Sequence, residues 1–296
     1  MGDSMMKKVL VLGGTRFFGR KLVELLVNEG HQVTIMTRGQ LEHPFGDKVE
    51  HIIGDRVKEE QLQRNFEDRY FDIVYDNICY SSNEAHSFCK VFNGKIGKLV
   101  FTSSLSTYEV DGKERKEEDF HPYTYKVVFG DLNDFTYAEG KRQAEAVFFQ
   151  YAKFPVVAVR LPIVLGTDDY TRRLHFHVER VQEEKIIHFV NSGAEMSFIT
   201  ATEAAEFLKW AGLEEVEGPF NATASGKISL SKLVQLIEDV TGKKANIAIN
   251  ENAEDLSPYA VEKSWYMSNE KATKAGFTFS HLHDWLKPLI KEIASE

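Results

Sequence analysis

Tyr137-Ala138-Glu139-Gly140-Lys141 sets a phenol and an amine four residues apart. On a helix, that spacing puts both on one face. An ordinary tyrosine has a pKa of about 10 and is a poor base at neutral pH. A neighbouring cation favours the phenolate, so a positioned Tyr–Lys pair can exchange a proton with a hydroxyl or a carbonyl. A plain surface helix could show the same spacing, so the pair needs company. The first companion is Lys8-Val9-Leu10-Val11-Leu12-Gly13-Gly14-Thr15-Arg16-Phe17-Phe18-Gly19. Its apolar residues read as a buried strand, its glycines as a tight turn, and residues 20–26 as an amphipathic helix. Free N–H groups and the helix dipole then point at a phosphate. This is the pattern of a first βα unit in a dinucleotide-binding fold, although an ordinary glycine-rich turn has similar spacing. The second companion is Val100-Phe101-Thr102-Ser103-Ser104, at the carboxyl end of a strand. Ligands of open α/β sheets bind at that end. Ser104 is placed to hydrogen-bond the oxygen that Tyr137 protonates or deprotonates. Thr102, Ser103 and Ser106 compete for the role, and serines also end strands with no chemistry attached.

Alternating elements must position these groups. Residues 9–12, 32–37, 51–55, 71–76, 98–102 and 156–161 read as strands, and residues 59–66, 85–92 and 137–152 as helices. Such alternation predicts an α/β fold with a doubly wound parallel sheet covered on both faces. Residues 109–134 form a charged, polar stretch, either a lid or a surface insertion. Beyond Gly166 the pattern becomes mixed. Helices are expected at 172–182, 203–210 and 229–241, with a last one capped by Ser280 and ending near Ser295. Short strands are expected at 186–189, 198–199, 219–222 and 245–249. The expected organisation is a dinucleotide-binding domain over 5–166 and a smaller, partly interleaved substrate lobe over 167–296.

The bulk properties narrow the function classes. The chain has 296 residues, 43% of them hydrophobic, and a net charge of −9. That is enough for a sizeable core and gives no electrostatic case for nucleic acid or an anionic membrane. Two cysteines, Cys79 and Cys89, make no disulfide framework and suit a reducing cytoplasm. The opening Met1-Gly2-Asp3-Ser4 is polar, and the apolar run after Lys7 is too short for a signal peptide or a membrane span. The doubled Met5-Met6 reads as the junction of an added leader with a native start. His175 with His177, and His281 with His283, are two apart on expected helices and diverge, so no metal site is expected.

Taken together, these motifs make the chain resemble the extended short-chain dehydrogenase/reductase superfamily, of the NAD-dependent epimerase/dehydratase type. The resemblance includes Gly13 to Gly19, Asp55, the Ser103-Ser104 turn, and Tyr137 with Lys141 followed by Ala144-Glu145. It continues in Arg160-Leu161-Pro162-Ile163-Val164-Leu165-Gly166, in Ser197-Phe198-Ile199-Thr200-Ala201-Thr202-Glu203-Ala204, in Phe220-Asn221-Ala222-Thr223 and in residues 267–277. It implies a Rossmann-type domain with NAD(P) laid along Gly13, Thr15, Arg16, Phe17, Phe18 and Gly19. Asp55 would hold the adenine, Arg56, Asn77, Pro162 and Val164 would lie along the cofactor, and Lys141 would bind the nicotinamide ribose. Tyr137 would be the acid/base and Ser104 its partner. The resemblance also implies a homodimer through the helices at 85–92 and 137–152. Gly13-Gly14-Thr15-Arg16-Phe17 and Gly54-Asp55-Arg56 look most like a subgroup related to chloroplast stem-loop-binding proteins. Some members there are linked to RNA and have eroded catalytic residues, whereas Tyr137 and Lys141 are intact here.

The departures from the family pattern carry information of their own. Arg16 replaces the middle glycine of the turn, and its side chain either reaches a cofactor phosphate or swings out to solvent. The second strand ends Thr37-Arg38, with no carboxylate for a ribose 2′-hydroxyl. An arginine there suits a 2′-phosphate and tips the balance to NADP over NAD. Asp76-Asn77-Ile78-Cys79 replaces a small apolar turn, and its polar groups either contact the cofactor or pair with each other. Met196, beside Glu195, stands where nucleotide-sugar enzymes carry an arginine for the diphosphate. Arg172 or Arg173 is the available substitute for gripping a substrate. The Ser104-Leu105-Ser106 turn lacks the Asp-Glu pair of dehydratases. The expectation is an NAD(P)-dependent oxidoreductase or epimerase acting on a sugar-like substrate. The rival is a nucleotide-sensing or RNA-associated binding protein on the same fold.

Overall fold

Val9, Leu10, Val11 and Leu12 have no exposed surface, as a strand covered on both faces requires. The computed structural model describes residues 5–296, so the polar opening Met1-Gly2-Asp3-Ser4 lies outside the described residues. In chain order the first elements are β1 (Lys8–Leu12), α1 (Phe17–Asn28), β2 (Gln32–Thr37), β3 (Val49–Ile53), α2 (Glu59–Phe66), β4 (Phe71–Asp76), α3 (Ser82–Phe92) and β5 (Ile96–Ser104). There follow β6 (Glu114–Arg115), α4 (Tyr137–Tyr151), β7 (Val156–Leu161), β8 (Ile163–Leu165), α5 (Arg173–Gln182), β9 (Ile186–Phe189), β10 (Glu195–Met196), β11 (Phe198–Thr200) and α6 (Ala201–Leu213). The chain closes with β12 (Gly218–Asn221), β13 (Ile228–Ser229), α7 (Leu230–Thr241), β14 (Asn246–Ile249), β15 (Tyr266–Met267), α8 (Glu270–Lys274) and α9 (Leu282–Ile293).

The seven-stranded central sheet has the order β12-β7-β5-β4-β1-β2-β3, and every pairing in it is parallel. Parallel neighbours need crossovers, which α-helices supply except between β2 and β3, where residues 38–48 make the connection without one. The strand order reverses between β1 and β4, so the turns after Leu12 and Asp76 flank the switch point where such sheets bind ligands. The expected doubly wound sheet is therefore present. One strand was misplaced by the sequence reading. The segment near 219–222, expected in the smaller lobe, is β12, the edge strand of the main sheet against β7. Other boundaries moved by a few residues. His281 caps α9, where Ser280 was expected.

Two compact units divide the chain. One runs to Thr107 and adds Glu117–Leu161 and Ala204–Ala222; the other comprises Tyr108–Lys116, Pro162–Glu203 and Thr223–Glu296. A boundary at Gly166 with some interleaving was expected; in the structure residues 108–116 join the second unit and 204–222 the first. In the first unit, Leu10, Val74, Leu99 and Phe101 of the sheet pack with Phe88 and Phe92 of α3 and Val147 and Phe148 of α4. In the second, Leu174, Val178 and Val181 of α5, Leu233 and Ile237 of α7, and Leu286 and Ile290 of α9 share a core with Phe189 and Phe198.

The charged stretch after β5 is not uniformly solvated. Arg115 and Glu117 are each only 9% exposed, and Glu117 Oε1 accepts the Asn221 N–H at 2.8 Å. Further on, residues 122–130 are bound along α4. Gln143 Oε1 accepts the Val128 N–H at 2.8 Å, and its Nε2 donates to the Lys126 carbonyl at 3.1 Å. Gln150 Nε2 donates to the carbonyls of Pro122 and Tyr125 at 2.8 and 2.9 Å. The Ser82 hydroxyl of α3 donates to the Val128 carbonyl at 2.7 Å. Of the two sequence readings of this stretch, 122–130 follows the surface-insertion one, as a strap tied to two helices.

Candidate active site

The turn between β1 and α1 is shaped by glycine where only glycine fits. Gly13 has a φ of +82°, in the left-handed region. A Cβ on Gly19 would sit 2.6 Å from the Gly13 carbonyl oxygen, so the first turn of α1 presses directly on the loop. Phe17, the first helical residue, holds a φ of 48° and is buried. A left-handed conformation at a non-glycine residue costs on the order of 1 kcal/mol. Arg16 is the N-cap residue and its side chain provides no capping bond. No side chain of the N-cap residue closes the helix start, and backbone N–H groups at such a start are the donor set a pyrophosphate needs. Arg16 is exposed, while Thr15 and Phe18 are half-buried.

Asn77 braces this turn from the neighbouring strand. Its N–H donates to the Leu12 carbonyl at 3.1 Å and its Nδ2 to the Gly13 carbonyl at 3.2 Å. Its Oδ1 accepts from the Thr102 hydroxyl at 2.7 Å. The ends of β1, β4 and β5 are thereby tied together at the switch point. In the polar 76–79 turn, Asp76 therefore pairs with Arg56 and Asn77 braces the loop after β1.

Arg56 is a correction. The sequence placed it at the cofactor, but its side chain is 1% exposed and lies against a fully buried Asp76. Nε and Nη2 both donate to Asp76 Oδ2, at 3.0 and 2.5 Å, and Nη1 donates to the Glu84 carbonyl at 3.0 Å. Burial works against its charge, yet the adjoining Asp76 carboxylate holds the guanidinium protonated. A group this enclosed anchors α3 to β4 and has no open face for a ligand. Asp55, by contrast, is half-exposed at the end of β3, with Oδ1 accepting the Val57 N–H at 3.0 Å. Arg38 is exposed just beyond β2.

Thr136 caps α4 by accepting the Glu139 N–H at 3.2 Å, which sets Tyr137 and Lys141 on the first turns of the helix. The Tyr137 side chain is 54% exposed. Lys141 is 2% exposed, and its Nζ lies 5.9 Å from the Tyr137 ring centre. Nζ donates to the Cys79 carbonyl at 2.9 Å and the Thr102 carbonyl at 2.8 Å. The four-residue spacing therefore brings the two groups together, as expected. Two of the competing hydroxyls are engaged elsewhere. Thr102 bonds Asn77, and the Ser103 hydroxyl donates to Glu145. The Ser104 oxygen accepts the Ser106 N–H at 3.1 Å, and among the described residues its proton is given to no group. Arg142 Nε donates to the Thr107 carbonyl at 2.9 Å, while the Thr107 hydroxyl donates to the Ser104 carbonyl at 3.0 Å. That linkage ties the Ser104 turn to α4.

A buried layer under the pair escaped the sequence reading. Arg160 pairs with Glu145 at 2.7 Å, both side chains fully buried. Glu84, in the first turn of α3, accepts the Tyr80 N–H at 2.8 Å. Burial pushes the Glu84 carboxyl above the ordinary carboxylate range. Arg160 and Glu145 come from different elements, and no helical or strand spacing announces their pairing.

In the second unit, Pro162 is buried and Val164 lies within β8, paired with Ile199 of β11. Arg172 has a left-handed φ of 51° at the start of α5 and is ion-paired with Glu179. Arg173 is half-buried. Met196 is 1% exposed, and the adjoining Glu195 pairs with Lys227 at 2.7 Å. His177 is enclosed, with Nε2 at 2.7 Å from the Ser257 hydroxyl and Nδ1 at 2.8 Å from the Arg173 carbonyl. Burial pushes its imidazole down to about 4. Among the described residues no cluster of metal-ligating side chains occurs, and no helix is long and apolar enough to cross a membrane.

Residues 9–88 match the NAD dependent epimerase/dehydratase family. The chain is 27% identical over 204 residues to chloroplast stem-loop binding protein of 41 kDa b from Arabidopsis thaliana, covering 64% of this chain and 51% of that protein. It is 26% identical over 278 residues to UDP-glucuronic acid decarboxylase 2 from the same plant, covering 84% of this chain and 60% of that protein. The chain thus spans between half and three fifths of these relatives. Among solved structures, UDP-glucose 4-epimerase of Thermus thermophilus in complex with NAD superposes with a TM-score of 0.70 at 18% identity, covering 96% of this chain and 98% of that one. That likeness shows the shared fold.

Proposed function

We propose that this chain, whose residues 9–88 match the NAD dependent epimerase/dehydratase family, is an NAD(P)-dependent oxidoreductase or epimerase. Its substrate is a sugar or nucleotide-sugar that reacts at a carbinol or keto carbon. The observation that carries this reading is the Lys141 ammonium, buried beside the Tyr137 ring in the unit that also holds the Gly13–Gly19 turn.

The turn fits a dinucleotide, since α1 starts without a side-chain cap and Gly19 leaves no room for a Cβ. Gly13, Thr15, Arg16, Phe17, Phe18 and Gly19 would hold the pyrophosphate, and Asp55 the adenine. When bound, the nicotinamide supplies the hydride acceptor or donor. The Tyr137 phenolic oxygen takes the proton of the substrate hydroxyl, or returns it to the carbonyl. Two protons of Lys141 are held by the Cys79 and Thr102 carbonyls, and the third would serve the phenol and the ribose of a bound cofactor. The Ser104 hydroxyl orients the substrate oxygen. With Arg172 paired to Glu179, Arg173 is the cation we assign to an anionic substrate group. Titration with nicotinamide nucleotides and turnover of a sugar-nucleotide panel test this. Tyr137→Phe should lower turnover about 10²- to 10⁴-fold while nucleotide affinity holds. Unchanged turnover, or no binding of either nucleotide, refutes the reading.

NADP is the preferred form in this proposal, because Arg38 is exposed where a 2′-phosphate would lie and Arg16 adds a second exposed cation. NAD binding as tightly as NADP removes that preference. The homodimer would pair α3 and α4 about a two-fold, with the partly exposed Tyr123, Phe129 and Tyr151 at the contact. A monomer in sedimentation removes it. A reducing cytoplasm suits Cys79 and Cys89, both buried free thiols, and burial pushes that of Cys89 up to about 12. The stem-loop binding relative supports an RNA-associated alternative, which the net charge of −9 opposes. Salt-sensitive retention of RNA without nucleotide turnover would favour that alternative.

A further inference from the structure

We infer that Tyr80 is a positioning residue: the face of its ring holds the Lys141 ammonium in place for Tyr137. This deepens the functional reading above and rests on it for its catalytic consequence. An ammonium is strongly hydrated, so enclosing one at 2% exposure requires replacements for water on every side. Two carbonyls, of Cys79 and Thr102, take two of its protons. Aromatic rings cover the rest. The Tyr80 ring centre is 4.4 Å from Nζ, Phe101 is 4.9 Å away and Tyr137 is 5.9 Å away. Tyr80 is the nearest of the three and well inside the range of a cation–π contact. Its ring stands 6.3 Å from that of Tyr137, at 44° to it, so the two phenols flank one cation.

Tyr80 is itself fixed from two directions. Its N–H donates to Glu84 Oε2 at 2.8 Å, and the Glu84 carbonyl is in turn held by Arg56. Its carbonyl oxygen faces α4 where a Cβ on residue 140 would come within 2.3 Å, so the helix lies directly on that peptide. The buried Arg56–Asp76 pair thereby gains a purpose beyond packing. It sets the turn that sets the ring that sets the amine. Without the aromatic face, the ammonium would turn to water or to its carbonyls, and its third proton would leave Tyr137.

The test compares Tyr80→Phe with Tyr80→Leu in the full chain. The first readout is the acylation rate of Lys141 without nucleotide, by peptide mass spectrometry, with the 61% exposed Lys185 as internal standard. Tyr80→Phe keeps the ring and should protect Lys141 as the parent chain does. Tyr80→Leu should label about tenfold faster, the worth of a desolvated cation–π contact. The second readout is the kinetic split. In Tyr80→Leu, kcat should fall about tenfold while KM and nucleotide affinity stay within about twofold, and Tyr80→Phe should retain the parent kcat. If Tyr80→Leu shows no cooperative melt, Tyr80→Met takes its place with the same expectations. Parent-like labelling in the leucine or methionine variant overturns the inference, as does leucine-like labelling in the phenylalanine variant. If the parent chain binds no nucleotide, the functional reading falls, while the labelling result still decides the role of Tyr80.

Discussion

Asp76→Ala removes the carboxylate from a guanidinium that has nowhere else to go. The Arg56 side chain is 1% exposed and Asp76 fully buried, so water cannot take the lost partner's place. Two hydrogen bonds to Oδ2 disappear, and among the described residues only the bond to the Glu84 carbonyl remains. An uncompensated buried charge of this kind costs about 3–5 kcal/mol. Arg56→Met strands the carboxylate instead; it can escape by taking up a proton, so the cost should be about 2–3 kcal/mol. The double variant Arg56→Met with Asp76→Leu removes both charges and fills the volume, and should lie within about 1–2 kcal/mol of the parent. With Asp76→Leu as the matching single variant, expected to cost about 3–5 kcal/mol for the same stranded guanidinium, the cycle gives a coupling of about 3 kcal/mol or more. Urea unfolding at pH 7, followed by far-ultraviolet circular dichroism, measures it through the midpoint and slope. Stabilities of about 5–15 kcal/mol leave room for each single variant to remain folded. If Asp76→Ala costs less than about 1 kcal/mol, or the double variant is worse than either single one, the ion pair is not the anchor described here.

Gly140→Ala should lower both the melting temperature and turnover, since a Cβ would meet the Tyr80 carbonyl at 2.3 Å and neither backbone can yield cheaply. A parent-like melting curve contradicts that close approach. Gln143→Ala breaks the two bonds to residues 126 and 128 and should destabilise by about 1–3 kcal/mol, with hydrogen exchange rising across 122–130. An unchanged exchange pattern there would show that the strap is held by other contacts. His177 gives a pH signature. Its folded value, about 4, lies below the ordinary 6.5, so the unfolded chain binds the extra proton. Its contribution is complete above pH 6.5 and is lost as pH falls towards 4, by about 3 kcal/mol at most. His177→Gln should flatten the fall of stability with pH in that window, and an unaltered slope refutes the assignment.

The strands and helices of the first unit were legible because burial on both faces writes itself as apolar runs. β4 and β7 fall where residues 71–76 and 156–161 placed them, and α2 where residues 59–66 did. The destination of β12 was not legible. Gly218–Asn221 reads as a strand, but nothing local says that its partner is β7, some sixty residues earlier. β6, β10, β13 and β15 are two residues each, below any detectable period. At the site, Tyr137 and Lys141 announced themselves by helical spacing. Arg56 misled because its neighbour Asp55 is half-exposed just past a strand end, while its own guanidinium answers to Asp76, twenty residues on. Tyr80 was silent for the same reason. A ring next to an amine in space leaves no trace in spacing along the chain.

Covered by the sheet on one side and by residues 122–130 on the other, α4 has almost no free surface along its middle. Gly140, Lys141, Gln143, Ala144, Glu145, Ala146, Val147 and Phe148 are all buried. Any change of side chain there is felt by two layers at once. Natural drift and deliberate redesign are thus channelled away from the helix that bears Tyr137 and Lys141.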